Sequence, residues 1–380
     1  MNSESIWFLS NASIRSTFVS TAHRYRDNVR SCVLRLGGTS GRWASTNPLF
    51  CVRMIVASLL MLLGTASPIL AAWSVTADGN LYYTDDVALF SATRRSNIDG
   101  DPSQPVLDVS RTGRGSDMVF EPGLLISNAI TTGLGRTAFS IKPQGFVYAV
   151  SPEWSQASVA VEALHSFTPN TALRLRYFSA PDQLLGNSEV SRAEPETFAN
   201  ERVTSHVGYI RLEQRLSENW ELRFQGRVGK RLYNEAFARR NTTFWTIGPH
   251  IFWRATEHLK LFAGYHYERG LASGRHEFEA EEDNSYVHHF VALGLDAELM
   301  PHLELELDFH YERNNWTSGL HEDERNGEHE NIFQGNGRLR YQLTDRTAVT
   351  LSVQRANRRV NITQTHDHNT NVGIGVIHQF

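Results

Sequence analysis

The chain has 380 residues, 37 of them basic and 41 acidic, a formal net charge of −4 and 41% hydrophobic residues. A bundle of membrane-spanning helices is excluded, because only residues 54–72 approach the roughly 20 consecutive apolar residues that one such helix requires. A nucleic-acid binder is excluded too: seven basic and two acidic residues precede Trp73, which leaves 30 basic against 39 acidic residues and a charge of −9 in the remainder.

Residues 1–53 carry seven arginines, no lysine and the chain's two cysteines, Cys32 and Cys51. They are too long for the charged start of a signal peptide, so they read as an unstructured or non-native extension, with translation expected to begin at Met54. Residues 54–72 read as the signal peptide itself. Arg53 is the positive flank, 55–63 the apolar core, and Gly64, Thr65, Ser67 and Pro68 make a poor spanning helix. Cleavage is expected after Ala66 or Ala72; an uncleaved anchor is the alternative. The remainder of the chain is free of cysteine, which rules out a disulfide framework or a thiolate metal site there.

From Trp73 onward the dominant signal is alternation with a period of two, the mark of strands with one apolar face. Trp220, Leu222, Phe224 and Val228 alternate with Glu221, Arg223, Gln225 and Arg227. Leu259, Leu261, Ala263, Tyr265 and Tyr267 alternate with Lys260, Phe262, His266 and Glu268. Val287, His289, Val291, Leu293 and Leu295 oppose His288, Asp296 and Glu298. The clearest run sets Leu303, Leu305, Leu307, Phe309 and Tyr311 against Glu304, Glu306, Asp308, His310 and Glu312. Leu339, Tyr341 and Leu343 come next, against Arg338, Arg340 and Gln342. About ten residues is what a tilted membrane strand needs and exceeds the usual length of a soluble strand.

Short polar turns precede such strands at Thr168, Ser217, Thr256, Met300 and Thr344, spaced 49, 39, 44 and 44 residues apart. The repeat unit is one hairpin plus one longer loop. Segments near 91–116, 149–155, 180–202, 232–241, 270–285, 313–330 and 358–369 read as the loops, and turns near 130–136 and at the five repeats as the tight connections. The expected fold is therefore all-β: a closed antiparallel transmembrane barrel of about fourteen strands over 73–380, with twelve or sixteen as alternatives. Both termini and the short turns would be periplasmic and the long charged loops outside. Trp220, Trp245, Trp253, Tyr265, Tyr267, Tyr311 and Trp316 are expected in interfacial girdles.

Parity gives the inward residues. Arg174, Arg176, Arg223, Arg227, Arg231 and Arg254 come from strands five to eight, and Arg338 and Arg340 from strand twelve. Asp296, Glu298, Glu304, Glu306, Asp308 and Glu312 come from strands ten and eleven. A basic wall facing an acidic one would filter solutes by charge; alternatively the charges pair with one another and stiffen the wall. His288-His289, His366-Asp367-His368 and 321–323 match no metal-ligand spacing, and no cofactor is expected. The acidic run 277–283 reads as a solvated loop. No linear signature of a hydrolase triad, zinc site or phosphate loop is present. His310 between Asp308 and Glu312 is the strongest candidate for an enzymatic reading.

The final residues, Val372, Ile374, Val376 and terminal Phe380 on one face, resemble the last strand of Gram-negative outer-membrane barrels. His378 departs from that pattern. The resemblance covers about 73–380 and implies outer-membrane location among lipid and lipopolysaccharide, with Phe380 read by the barrel-assembly machinery. Tyr82-Tyr83-Thr84-Asp85-Asp86-Val87 and Glu121-Pro122-Gly123-Leu124 are loosely similar to porin-like barrels, some of them associated with exopolysaccharide export. The function expected is a porin-like channel for small polar or anionic solutes or saccharides. A non-conducting surface scaffold or adhesion barrel is the alternative, followed by a barrel enzyme acting on lipid.

Overall fold

The computed structural model describes residues 72–93, 115–191, 197–276, 282–321, 323, 325–361 and 366–380. The extension, the signal segment up to residue 71, both cysteines and most of the 277–283 run lie outside the described residues.

Fourteen strands occur among the described residues: β1 (Ala72–Thr84), β2 (Asp117–Thr132), β3 (Gly135–Tyr148), β4 (Gln156–Thr168), β5 (Thr171–Ser191), β6 (Thr197–Arg215), β7 (Trp220–Tyr233), β8 (Thr242–Arg254), β9 (Leu259–Ala272), β10 (Tyr286–Met300), β11 (Leu303–Trp316), β12 (His329–Thr344), β13 (Thr347–Val360) and β14 (His366–Gln379). Each pairs antiparallel with its sequence neighbours, and β1 pairs with β14, so the sheet closes into a barrel and the alternatives of twelve or sixteen fall away. The terminal residue completes the seam, where the Phe380 amide donates to the Val75 carbonyl at 2.9 Å.

At one end the connections are short, from 133–134 between β2 and β3 to 345–346 between β12 and β13. We call this the turn end and the opposite one the loop end. Outward side chains are apolar along each strand: Leu307 and Phe309 on β11, Leu351 and Val353 on β13, Val372, Ile374 and Val376 on β14 are all exposed. At the turn end Trp220 stacks on Trp253, with ring centroids 5.4 Å apart and planes 8° from parallel. Nearer the loop end Trp245 lies 5.4 Å from Tyr267 and Tyr311 lies 5.0 Å from Phe333. Such belts anchor a barrel at the two interfaces.

Three expectations need correction. Trp316 is not in a girdle: it is buried, and it shares the inward parity of His310, Glu312 and Asn314. The 180–202 segment is mostly strand, because β5 and β6 extend beyond the alternating region. Bulges at Ala180/Gln183, Leu184/Gly186 and Glu189/Ser191 interrupt that extension and hide its periodicity. The 91–116 loop begins with a helix, α1 (Val87–Thr93). The Asp86 carboxylate accepts from the Leu89 amide at 3.0 Å, and Asn369 on β14 donates to Thr84 and Asp85, both at 2.9 Å. These bonds satisfy the start of the helix and tie it to the seam. Phe90 packs on the inward rings of Tyr82 (5.7 Å) and Tyr148 (6.1 Å), so α1 lies inside the barrel mouth.

The interior is asymmetric along its length. On β11 inward side chains run from exposed Glu304 through half-buried Glu306 and Asp308 to buried His310, Glu312 and Asn314. On β7 half-buried Glu221 and Arg223 give way to buried Gln225, Arg227 and Arg231. The interior is thus open to water at the turn end and filled at the loop end. Glycine permits the filling: a Cβ on Gly270 would sit 2.2 Å from the Tyr286 ring, and one on Gly294 2.2 Å from Phe262.

Leu307 lies near mid-height of the outward face. Leu307→Arg is expected to cost about 2–4 kcal/mol, against about 0–1 kcal/mol for Tyr311→Arg nearer the interface. Denaturant unfolding from lipid vesicles measures both.

Candidate functional site

The inward charges form two layers. In the turn-end half, opposite charges sit on adjacent strands or two residues apart on one strand. Arg174 pairs with Glu213 at 2.8 Å and also with Glu162, while Arg211 reaches Glu213 at 3.1 Å. Arg223 pairs with Glu221 at 2.6 Å and lies 3.9 Å over the Phe252 ring. Lys260 stands 3.7 Å from Asp296; Arg338–Glu306 and Arg340–Glu304 are both 3.1 Å. Arg176 lies over Tyr209 at 5.2 Å. Arg254 is exposed beside Lys260, its register partner. Glu298 accepts from His258 in the β8–β9 turn at 3.0 Å, and this hydrogen bond raises the imidazole's pKa. The acidic side chains of β10 and β11 therefore neutralise neighbours along the wall, and the basic wall facing an acidic one is not formed as such. The half-exposed pairs Lys260–Asp296, Arg338–Glu306 and Arg340–Glu304 contribute about 0–1 kcal/mol each. Their effect is to fix side-chain positions around the opening.

Deeper in, Glu268 on β9 is the hub. Its carboxylate accepts from Thr246 and Tyr286, both at 2.6 Å, and pairs with Arg231 at 3.3 Å and Arg227 at 4.0 Å. Arg231 lies 4.3 Å over Phe244 and Arg227 contacts His266 at 3.2 Å. His266 bonds to His250 and stacks on Phe290, which meets His310 at 5.2 Å. Glu312 pairs with His288 at 3.3 Å, and Asp308 lies half-buried at register position Gly294. Removing one partner of a buried set of this kind costs about 3–5 kcal/mol.

The loop end is held by a third cluster that has no strand periodicity to announce it. Glu282, before β10, pairs with Arg239 (3.0 Å) and Arg240 (2.8 Å) of the β7–β8 connection and with Arg325 (2.6 Å) of the β11–β12 connection. Arg240 also binds Glu201 on β6, and the Asp283 amide donates to Asp323 at 2.8 Å. Burial pushes the Glu282 carboxyl up, but the Arg325, Arg240 and Arg239 guanidiniums outweigh it and hold the pKa at about 2.

Opposite the filled sector, a cavity of about 480 Å³ remains, lined by β1 to β5 with β12 to β14. Lys142, Arg176 and Arg338 line it, with Asp78, Glu121 and Glu162, amide and hydroxyl side chains, and the Phe146 and Phe178 rings. Arg211, Glu162, Glu213 and Glu268 escaped the sequence-based set although parity alone places them inward. Lys142 and Asp78 escaped because the first strands alternate weakly. Among the described residues no group of three or more His, Cys, Asp or Glu is arranged to hold a metal ion.

Residues 211–380, from within β6 to the C-terminus, match the family model described as "Putative beta-barrel porin 2". The chain is an outer-membrane β-barrel, similar over these residues to that porin family. Among solved structures, the porin-like barrel is similar to the outer-membrane channel DcaP of Acinetobacter baumannii, at 10% identity, 82% coverage of this chain, 97% of that one, and a TM-score of 0.47. It is also similar to an anion-selective porin from Comamonas acidovorans, at 11% identity, with 82% and 99% covered and a TM-score of 0.41. A structure described as a bacterial polysaccharide outer-membrane secretin gives 9% identity, 80% and 98% coverage and a TM-score of 0.42. No curated protein matches the sequence.

The pKa of Glu282 sets an acid limit for the loop cluster. Because the folded value lies below the ordinary 4.5, the stabilisation is complete above pH 4.5 and is lost as pH falls toward 2. Protection from hydrogen exchange, taken against the intrinsic rate at each pH, is expected to fall in the three connections in that window. Glu282→Gln should show low protection already at pH 7 and no further loss on acidification.

Proposed function

We propose that the barrel is a narrow channel for small polar or anionic solutes, saccharides included. In this reading the long loops face outside, the turns and termini face the periplasm, residues 54–72 direct export, and Phe380 is the signal read by the assembly machinery. The observation that carries the channel reading is the 480 Å³ cavity along β1 to β5. Its amide and hydroxyl side chains beside two aromatic rings offer what a sugar ring needs, hydrogen bonds at its edge and an apolar face to lie on. Lys142 has no carboxylate partner among the described residues, and Arg176 meets the rings of Tyr209 and Phe178. Charge at these two positions favours anions.

A second reading, a non-conducting surface scaffold, is favoured by the filled loop-end half and by α1 within the mouth.

Planar-bilayer recording separates the two. The channel reading expects discrete conductance steps with a reversal potential that favours anions. The pair Lys142→Glu and Arg176→Glu should move that potential toward cations. A folded sample that inserts and gives no steps would leave the scaffold.

A further inference from the structure

The outward face carries arginines of a different kind from those inside. Arg269, Arg313, Arg355 and Arg359 have no carboxylate partner among the described residues. Arg313 donates only to Asn315, at 3.0 Å, and Arg355 to Thr370, at 2.8 Å; Arg359 lies 5.9 Å over the Phe333 ring.

Their height is regular. Counting from the first outward apolar residue at the turn end, the tenth residue along is Lys230 on β7 (from Trp220), Arg269 on β9 (from Leu259), His289 on β10 (from Leu299) and Arg313 on β11 (from Leu303). Ten residues are about 33 Å of strand and, at a tilt of about 40°, about 25 Å of height, the thickness of a barrel's apolar band. These polar side chains therefore stand at the headgroup plane of the loop-end leaflet.

Between β10 and β13 they form a row, since register pairs His289 with Arg313, Arg313 with Asn331, and Asn331 with Arg359. The two arginines are two strands apart, about 10 Å. Below them β12 presents Gly335 and Gly337 outward. A Cβ on Gly335 would meet nothing within 4 Å, whereas one on Gly337 would meet Leu307 at 3.3 Å and Val353 at 3.6 Å, and the Phe333 ring, 5.0 Å from Tyr311, stands between Gly335 and the arginine row. Leu307, Phe309 and Tyr311 on β11 and Leu351 and Val353 on β13 rise on either side. The result is a groove along β12 with an apolar floor and walls, capped by Arg313 and Arg359 and reached from the side by Arg355.

We propose that this groove binds a phosphorylated glycolipid of the outer leaflet, an acyl chain lying against Phe333 and over Gly335 and its phosphate on Arg313 and Arg359. Guanidiniums without a carboxylate partner at the edge of hydrocarbon attract an anion, and a planar fork suits phosphate oxygens. The inference rests on the orientation proposed for the channel, with loops outside, and not on conduction.

The test uses the purified full-length barrel in detergent, titrated with bis-phosphorylated lipid A, its dephosphorylated form and phosphatidylglycerol, with bound lipid read by native mass spectrometry. Bis-phosphorylated lipid A should bind about tenfold or more tightly than either other lipid. Arg313→Gln with Arg359→Gln should lose that preference. Gly335→Leu, which fills open space without changing charge, should weaken binding of the phosphorylated lipid while heat stability and conductance stay as in the wild type. Equal binding by these variants, equal binding of dephosphorylated lipid, or a thiol cross-link joining two copies through Gly335→Cys would overturn the site. Conductance on the same samples reports the channel reading separately, and protease treatment of intact cells reports the orientation.

Discussion

A backbone amide or carbonyl in hydrocarbon finds no water, and leaving one unpaired there costs several kcal/mol. Every strand that crosses must therefore have neighbours on both sides, and the first must meet the last. The pairing of β1 with β14 is where this chain meets that requirement. Closure leaves only two faces, one toward lipid and one inward, so the side chains alternate. It also brings Asn369 on β14 beside Thr84 and Asp85, where it can hold the entry to α1.

Once inward residues are confined to a narrow interior, their charges must be neutralised locally. The solution changes with depth. Near the turn end, water reaches the pairs, and Arg338–Glu306 or Arg340–Glu304 serve mainly to place side chains. Near the loop end, Glu268 collects two arginines, a threonine and a tyrosine in one buried set, and Glu282 binds three connections together through three guanidiniums. One sector is left unfilled, along β1 to β5, where amide and hydroxyl side chains stand beside Lys142, Arg176 and the rings of Phe146 and Phe178. On the outside the logic reverses, and arginines are left without carboxylate partners among the described residues at the level where lipid headgroups begin.

The barrel was legible in sequence because lipid imposes strict alternation: the parity of Leu303 to Glu312 is the parity found, and the spacing of the turn motifs yields the strand number. Where both faces leave the membrane the rule lapses, which is why β5 and β6 between 180 and 202 read as a loop. Parity applied consistently would have placed Trp316 inward with Glu312; its aromatic character at a strand end pointed the other way. The seven residues of α1 are too few for a helical period, and the partners of Glu268 and Glu282 depend on which strands and connections meet in space. Pairing between strands, more than parity, decided what the inward arginines do.

Period-two lipid contact along the strands is the central claim, and the absence of cysteine after Trp73 makes it accessible to measurement. Single cysteines at successive positions of β11 from Leu305 to His310, each carrying a fluorescent label in vesicles, would be quenched by a probe confined to the bilayer. The account predicts strong quenching at Leu305, Leu307 and Phe309 and weak quenching at Glu306, Asp308 and His310. Equal quenching at all six, or a mature chain that stays dispersed without detergent or lipid, would contradict it.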